Sequence, residues 1–209
     1  MFGSARRVLG LFSVSCAVSA IAAVAIPVSA QASLLDLGHC DNAALTQPFS
    51  QWGDLNYYKL APGADFEGSL SGWSLQGGAT QGSGSESYGV GGSVGSSSLS
   101  LPAGASATSP PTCVNAAYPD LRLFTRTDSP GSSVNVSVVF NAPLLGTVTI
   151  PVGVVMPTGD WQPSGRMLTG SAIPSLLHGG TADISLKFTA NGGTVQVDDV
   201  YVDPWGRCC

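Results

Sequence analysis

The strongest constraint on this chain is a side-chain period of two that returns segment after segment. Val134, Val136, Val138 and Phe140 share one face of an extended run, and Val148, Ile150, Val152 and Val154 do so again. Ile184, Leu186 and Phe188 repeat the pattern near the end. Residues i, i+2 and i+4 line up only along a strand, and no stretch sustains the 3.6-residue period of a helix. The breaks are turn chemistry: Asp128-Ser129-Pro130-Gly131, Pro157-Thr158-Gly159-Asp160 and Asn191-Gly192-Gly193. Eight or so short strands joined this way predict an all-β fold, an antiparallel β-sandwich of jelly-roll type.

Local signals refine this. Residues 121–127 followed by 132–140 across the Asp-Ser-Pro-Gly turn read as a hairpin, and residues 183–190 followed by the final strand across Asn191-Gly192-Gly193 read as another. Pro151 cannot donate to a ladder, so its strand is expected at an edge or at a bulge. The Gly- and Ser-rich residues 77–98 read as loops between strands because Tyr88 and Val90 interrupt them. Trp73 and Tyr201 read as core residues, and residues 174–177 as a single helical turn. The final strand, 193–203, alternates with Val195, Val197, Asp199 and Tyr201 on one face and Gln196, Asp198, Val200 and Val202 on the other. Asp199 therefore falls in line with apolar residues. A carboxylate aimed inward is costly unless a cation or several N–H donors meet it.

Residues 1–30 have the layout of a cleaved signal peptide: Arg6 and Arg7, an apolar stretch to Pro27, then Val28-Ser29-Ala30. That stretch is nearly long enough to span a bilayer, but the helix-breaking proline and the small residues favour cleavage. The rest divides into an N-terminal arm (31–62), the sandwich (63–204) and a short tail (205–209). Without Arg6 and Arg7, six basic residues face thirteen acids, a net charge of −7. That balance argues against nucleic acid and, after signal cleavage, against an anionic membrane as partner. The expected location is secreted or cell-surface. In such a chain Cys40 and Cys113 default to a disulfide, although with Cys208 and Cys209 three connectivities are open. His39 and His178 are too far from the paired cysteines in sequence to form a zinc motif with them.

Asp65-Phe66-Glu67 with Gly72-Trp73, together with the run from Val197 to Pro204, resembles the galactose-binding-like jelly rolls of bacterial carbohydrate-binding modules. Gln51-Trp52-Gly53-Asp54 with Cys40 and Cys113 resembles a group of exported actinobacterial proteins of unassigned activity. The first resemblance implies adjacent first and last strands and a structural calcium ion, here on Glu67 and Asp199. The alternative for Asp199 is hydrogen bonding to backbone N–H groups or pairing with Arg122, Arg126 or Lys187. It also implies glycan binding by exposed aromatic faces, for which Trp161, Tyr88, Tyr118 and Trp52 are the candidates. A structural or adhesive protein that binds other proteins through the arm and loops is the second reading. A hydrolase is the third. Gly91-Gly92-Ser93-Val94-Gly95 matches a nucleophile-elbow pattern, but it lies in a Gly- and Ser-rich run without the strand-to-helix context that pattern requires. No spacing among the acids singles out a glycosidase pair, and the expectation is a protein without catalytic residues.

Overall fold

The computed structural model describes Cys40, residues 43–118 and residues 120–203. The expected signal peptide (residues 1–30), His39, Pro204 and the tail with Cys208 and Cys209 lie outside the described residues. After a 3-10 turn at Ser50–Trp52 the strands are β1 (Lys59–Leu60), β2 (Ser74–Gln76), β3 (Thr80–Ser83), β4 (Ser97–Leu101), β5 (Ser106–Thr108) and β6 (Thr112–Asn115). There follow β7 (Asp120–Thr127), β8 (Ser133–Ala142), β9 (Gly146–Val155), β10 (Gln162–Pro163) and β11 (Met167–Leu168). A short helix, α1 (Ala172–Leu177), precedes β12 (Thr181–Asn191) and β13 (Val195–Val202).

One sheet runs β10-β7-β13-β4-β3, with β1 beside β13 and β11 beside β7; the other runs β2-β5-β12-β8-β9, with β6 beside β12. The last strand lies between β4 and β7, and β12 between β5 and β8, while the chain passes repeatedly from sheet to sheet. Two interlocked four-strand patterns of this kind make a jelly roll. The alternating residues do what their period requires. Val134, Val136, Val138, Ile184, Leu186 and Phe188 are fully buried against Leu99, Leu101, Leu121, Leu123, Val195 and Val197 from the opposite sheet. Trp73 joins this core and stacks on Phe188 with ring centroids 6.3 Å apart. The proline-bearing strand is an edge, and the register slips between Val136 and Ser137, where Val136 faces Gly153 and Ser137 faces Pro151.

The two expected hairpins are instead arches. β7 pairs with β13, β10 and β11, whereas β8 pairs with β12 and β9; likewise β12 and β13 belong to different sheets. The two arches nest. A Cβ on Gly193 would stand 2.4 Å from Ser129 Cβ, and the Thr127 hydroxyl donates to the Thr194 carbonyl at 2.6 Å. Gly193→Ala is expected to destabilise by about 1–3 kcal/mol through overpacking, read as a lower urea midpoint at unchanged slope. An unchanged midpoint would show that the arches can separate without cost.

β13 breaks its own alternation. Asp198 faces Phe124 and Tyr201 faces Arg122, so Asp199 and Val200 share the space opposite Leu123. This is a β-bulge, with Asp199 at φ +45°. Aspartate tolerates that left-handed backbone better than the β-branched Val200 would. The extra residue reverses the faces: Val200 and Val202 enter the main core with Val195 and Val197, and Tyr201 turns to the outer side. Tyr201 is buried, as expected, but not in the core between the sheets.

What covers that outer side is the arm. Phe49 stacks on Phe124 (5.5 Å) and meets Tyr58 and Tyr201 edge-on (5.0 and 5.7 Å). The Arg122 guanidinium lies 4.1 Å above the Phe49 ring and donates to Asp54 Oδ2 at 2.8 Å, which also accepts from the Tyr58 hydroxyl at 2.7 Å. Burial alone would raise Asp54, yet the bonds from Tyr58 and Arg122 hold its carboxyl below the ordinary value. Cys40 and Cys113 form a disulfide, Cα to Cα 5.5 Å, fastening the start of the arm to β6 in the opposite sheet.

Candidate functional site

Three of the four candidate aromatics come together at one edge of the arm. The Trp52 and Tyr88 rings meet edge-to-face at 4.8 Å, and the Tyr88 hydroxyl donates to the Trp161 carbonyl at 2.9 Å. Trp52 is held from below by Phe49 and Phe124. Tyr88 remains 38% exposed, whereas Trp161 is only 7% exposed and packs among Phe49, Tyr58, Phe124 and Tyr201. Trp161 therefore forms wall and support, and Trp52 with Tyr88 forms the accessible ridge. Tyr118 lies elsewhere: its ring is buried in the main core beneath the Lys59 ammonium, and its carbonyl accepts from Thr169 and Ser171. A buried ring cannot offer its face to a sugar, which corrects the expectation for Tyr118.

Open, polar recesses flank the ridge. One, of about 450 Å³, is lined by Ser87, Tyr88, Arg126, Asp160, Trp161 and Gln162. The other, of about 370 Å³, lies along the arm between Trp52, Asp54, Asn56, Arg122 and Arg166. Aromatic faces beside several hydrogen-bonding groups are what a pyranose ring needs, since one side of the ring is apolar and its rim carries hydroxyls.

Tyr88 is positioned by carboxylates that the sequence reading did not single out. Glu86, 1% exposed, accepts the N–H groups of Tyr88 (2.5 Å) and Val90 (3.0 Å). Asp198 Oδ2 in turn accepts the Glu86 N–H and the Ser85 hydroxyl, both at 2.8 Å. The far end of the loop is clamped by Glu67, which accepts from Ser96 N–H, Ser97 N–H and the Ser96 hydroxyl at 2.7–2.9 Å. Burial would raise Glu67, but these bonds hold it below its ordinary value. A Gly- and Ser-rich segment is thus fixed through its own backbone donors. The one available signal was Glu86 itself, the sole charged residue in 77–98.

Behind this loop lies a third recess, of about 440 Å³, lined by Asp65, Glu67, Ser85, Ser93, Ser96 and Asp199 among others. The two residues expected to hold calcium share it. Glu67, however, is already committed to the loop, and Asp65 is the further carboxylate beside Asp199. Arg122 and Arg126 pair with Asp54 and Asp128 rather than with Asp199. Burial, followed by the charges of Asp198, Glu86 and Asp65, pushes the Asp199 carboxyl up to about 8. Asp198 is pushed up to about 7 by burial, against the hydrogen bonds it accepts. Among the described residues no three Asp, Glu, His or Cys side chains form a metal cage. An ion here would find carboxylate oxygens on Asp65 and Asp199, both of which line the recess. That all-oxygen donor set suits calcium.

Ser93 of the elbow-like sequence lines the acidic recess, in a turn between β3 and β4 and with no helix after it. His178 is engaged with the Asn141 carbonyl beyond α1. No hydrogen bond among the described residues joins the two.

Comparison with models of known protein families finds no match, and no curated protein matches the sequence. Solved structures with similar folds include the CBM22-1 and GH10 modules of Clostridium thermocellum xylanase 10B with xylohexaose, at TM-score 0.48 and 14% identity over 68% of this chain and 28% of that one. The CBM22-1 xylan-binding domain of Paenibacillus barcinonensis Xyn10C gives 0.46 and 12% over 69% and 94%. TmCBM61 with β-1,4-galactotriose gives 0.42 and 16% over 68% and 95%. Likenesses this distant transfer no residue, ligand or family to this chain.

Proposed function

We propose that this chain is an exported, non-catalytic glycan-binding module whose site is the Trp52–Tyr88 ridge and its two flanking recesses. The observation that carries the reading is the pairing of an arm tryptophan with a loop tyrosine, each held from beneath and partly open to solvent. Buried carboxylates fix the loop, so little conformational freedom is lost when a ligand docks, which favours binding. The reading includes removal of residues 1–30 and a structural calcium ion at Asp65 and Asp199, which when bound neutralises the carboxylates behind the loop.

Trp52→Ala and Tyr88→Ala are each expected to weaken oligosaccharide binding about 10- to 100-fold, as loss of an aromatic anchor does. Tyr88→Ala should leave the melting temperature within a few degrees of wild type. Glycan arrays followed by titration calorimetry measure this. Binding that persists in both variants would place the ligand elsewhere.

One observation favours the second reading, attachment to another protein. Leu144 and Leu145 at the β8–β9 turn and Leu176 on α1 are 105%, 77% and 70% exposed, an apolar end opposite in character to the polar recesses. Silent arrays together with co-purification of a protein that Leu144→Ser abolishes would establish that reading instead.

A further inference from the structure

The recess on the arm side of Trp52 presents a guanidinium that is fixed but only partly committed. Two buried carboxylates stand behind Arg166, Asp120 in direct contact and Asp203 at 4.0 Å, and the recess itself is lined by Arg122, Arg166 and one carboxylate, Asp54. That carboxylate is spent: Oδ2 accepts from Arg122 and Tyr58, and Oδ1 from the Asn56 N–H at 3.2 Å. Arg166 is half exposed, and its Nε and Nη2 both donate to one oxygen of buried Asp120. Its Nη1 makes no hydrogen bond among the described residues. The guanidinium is therefore held in place on one side and left with an unused donor at the recess. A fixed planar guanidinium beside an aromatic face matches a sugar bearing a planar carboxylate better than one bearing only hydroxyls.

We infer that the arm-side recess is a subsite for a uronate residue, with Trp52 stacking on the ring and Arg166 donating to the carboxylate. This rests on the glycan-binding reading and adds the ligand class. The arm is then part of the binding surface as well as a cover for the sheet, and the ligand is an acidic oligosaccharide reaching the recess from the ridge.

The test is titration of wild-type protein with a panel of uronate oligosaccharides, each compared with its methyl ester, at low and high salt. The esters keep the ring and hydroxyls but lack the charge. The acids are expected to bind about tenfold more tightly than their esters, a preference that shrinks as salt rises. Arg166→Gln should erase the preference, so that acid and ester bind alike. Because that change strands buried Asp120, the double variant Arg166→Gln with Asp120→Asn, which leaves a paired amide, serves as the second probe. Equal binding of acid and ester, or a preference that survives loss of Arg166, would overturn the subsite and leave the glycan reading intact. Binding of no oligosaccharide at all, charged or neutral, would overturn both.

Discussion

Reduction of the Cys40–Cys113 bridge should lower the melting temperature by about 10 °C. The bond closes a separation of 73 residues, and the chain-entropy model values a loop of that length at roughly 4 kcal/mol. For a protein of this size each kcal/mol is worth about 2–4 °C. Cys113→Ser should match the effect of reductant, and reductant should add nothing to it. Ligand affinity should fall as well, because the bond fastens the arm whose Trp52 forms half the ridge and whose Phe49 and Tyr58 seal the outer sheet. Non-reducing peptide maps joining Cys40 to Cys208, or a melting temperature indifferent to reductant, would refute this account.

Calcium and pH should act on one another through Asp199. In chelator, folded Asp199 binds its proton up to about pH 8 and Asp198 up to about pH 7, both from an ordinary value of 3.8. Between those limits the folded state holds protons that the unfolded chain has released. Stability is therefore greatest at acid pH and falls as pH rises, with the loss complete above about pH 8. The two groups titrate as a coupled pair, so the decline is one broad step rather than two. An ion that binds only the folded state restores about 2.7 kcal/mol at a hundredfold excess over its dissociation constant. The expected result is a melting temperature that declines from pH 5 to pH 9 in chelator and declines less in calcium. Asp199→Asn keeps the shape and the left-handed backbone. It should raise the melting temperature in chelator at pH 8 and abolish the calcium response. If Asp199 were instead satisfied by hydrogen bonds, the same change would cost about 1–3 kcal/mol with or without calcium. Identical melting curves in calcium and chelator would retire the metal site.

The clustering of the site residues could not be read from the sequence, and the reason is distance along the chain. Trp52, Tyr88 and Trp161 belong to an arm, a loop and the residue before an edge strand, and no local period relates them. Their aromatic character made them candidates; only the packing of the arm over Phe124 brought two of them into contact, while Tyr118 belongs to the separate core between the sheets. Arg166 drew no notice because its anchoring carboxylate, Asp120, stands 46 residues earlier and meets it only through the pairing of β11 with β7.

Strand existence outside the Gly- and Ser-rich residues 77–98, where β3 lies, inner and outer faces, and the edge character of the proline strand were legible from residue types alone. Each depends on a local property, a period of two or a missing N–H, whereas the Cys40–Cys113 bridge was one of three connectivities that the sequence left open. Which strand pairs with which is not local. Val134, Val136 and Val138 alternate identically whether β8 turns back on β7 or crosses to the other sheet, so the expected hairpins and the observed arches have the same pattern. The bulge at Asp199 is of the same kind. Strict alternation would have turned Val200 and Val202 away from the core, and the energy gained by burying both between the sheets outweighs the cost of one left-handed aspartate. The tertiary structure made that choice because only the assembled sandwich supplies an apolar interior for the two valines and a second, arm-covered face for Tyr201.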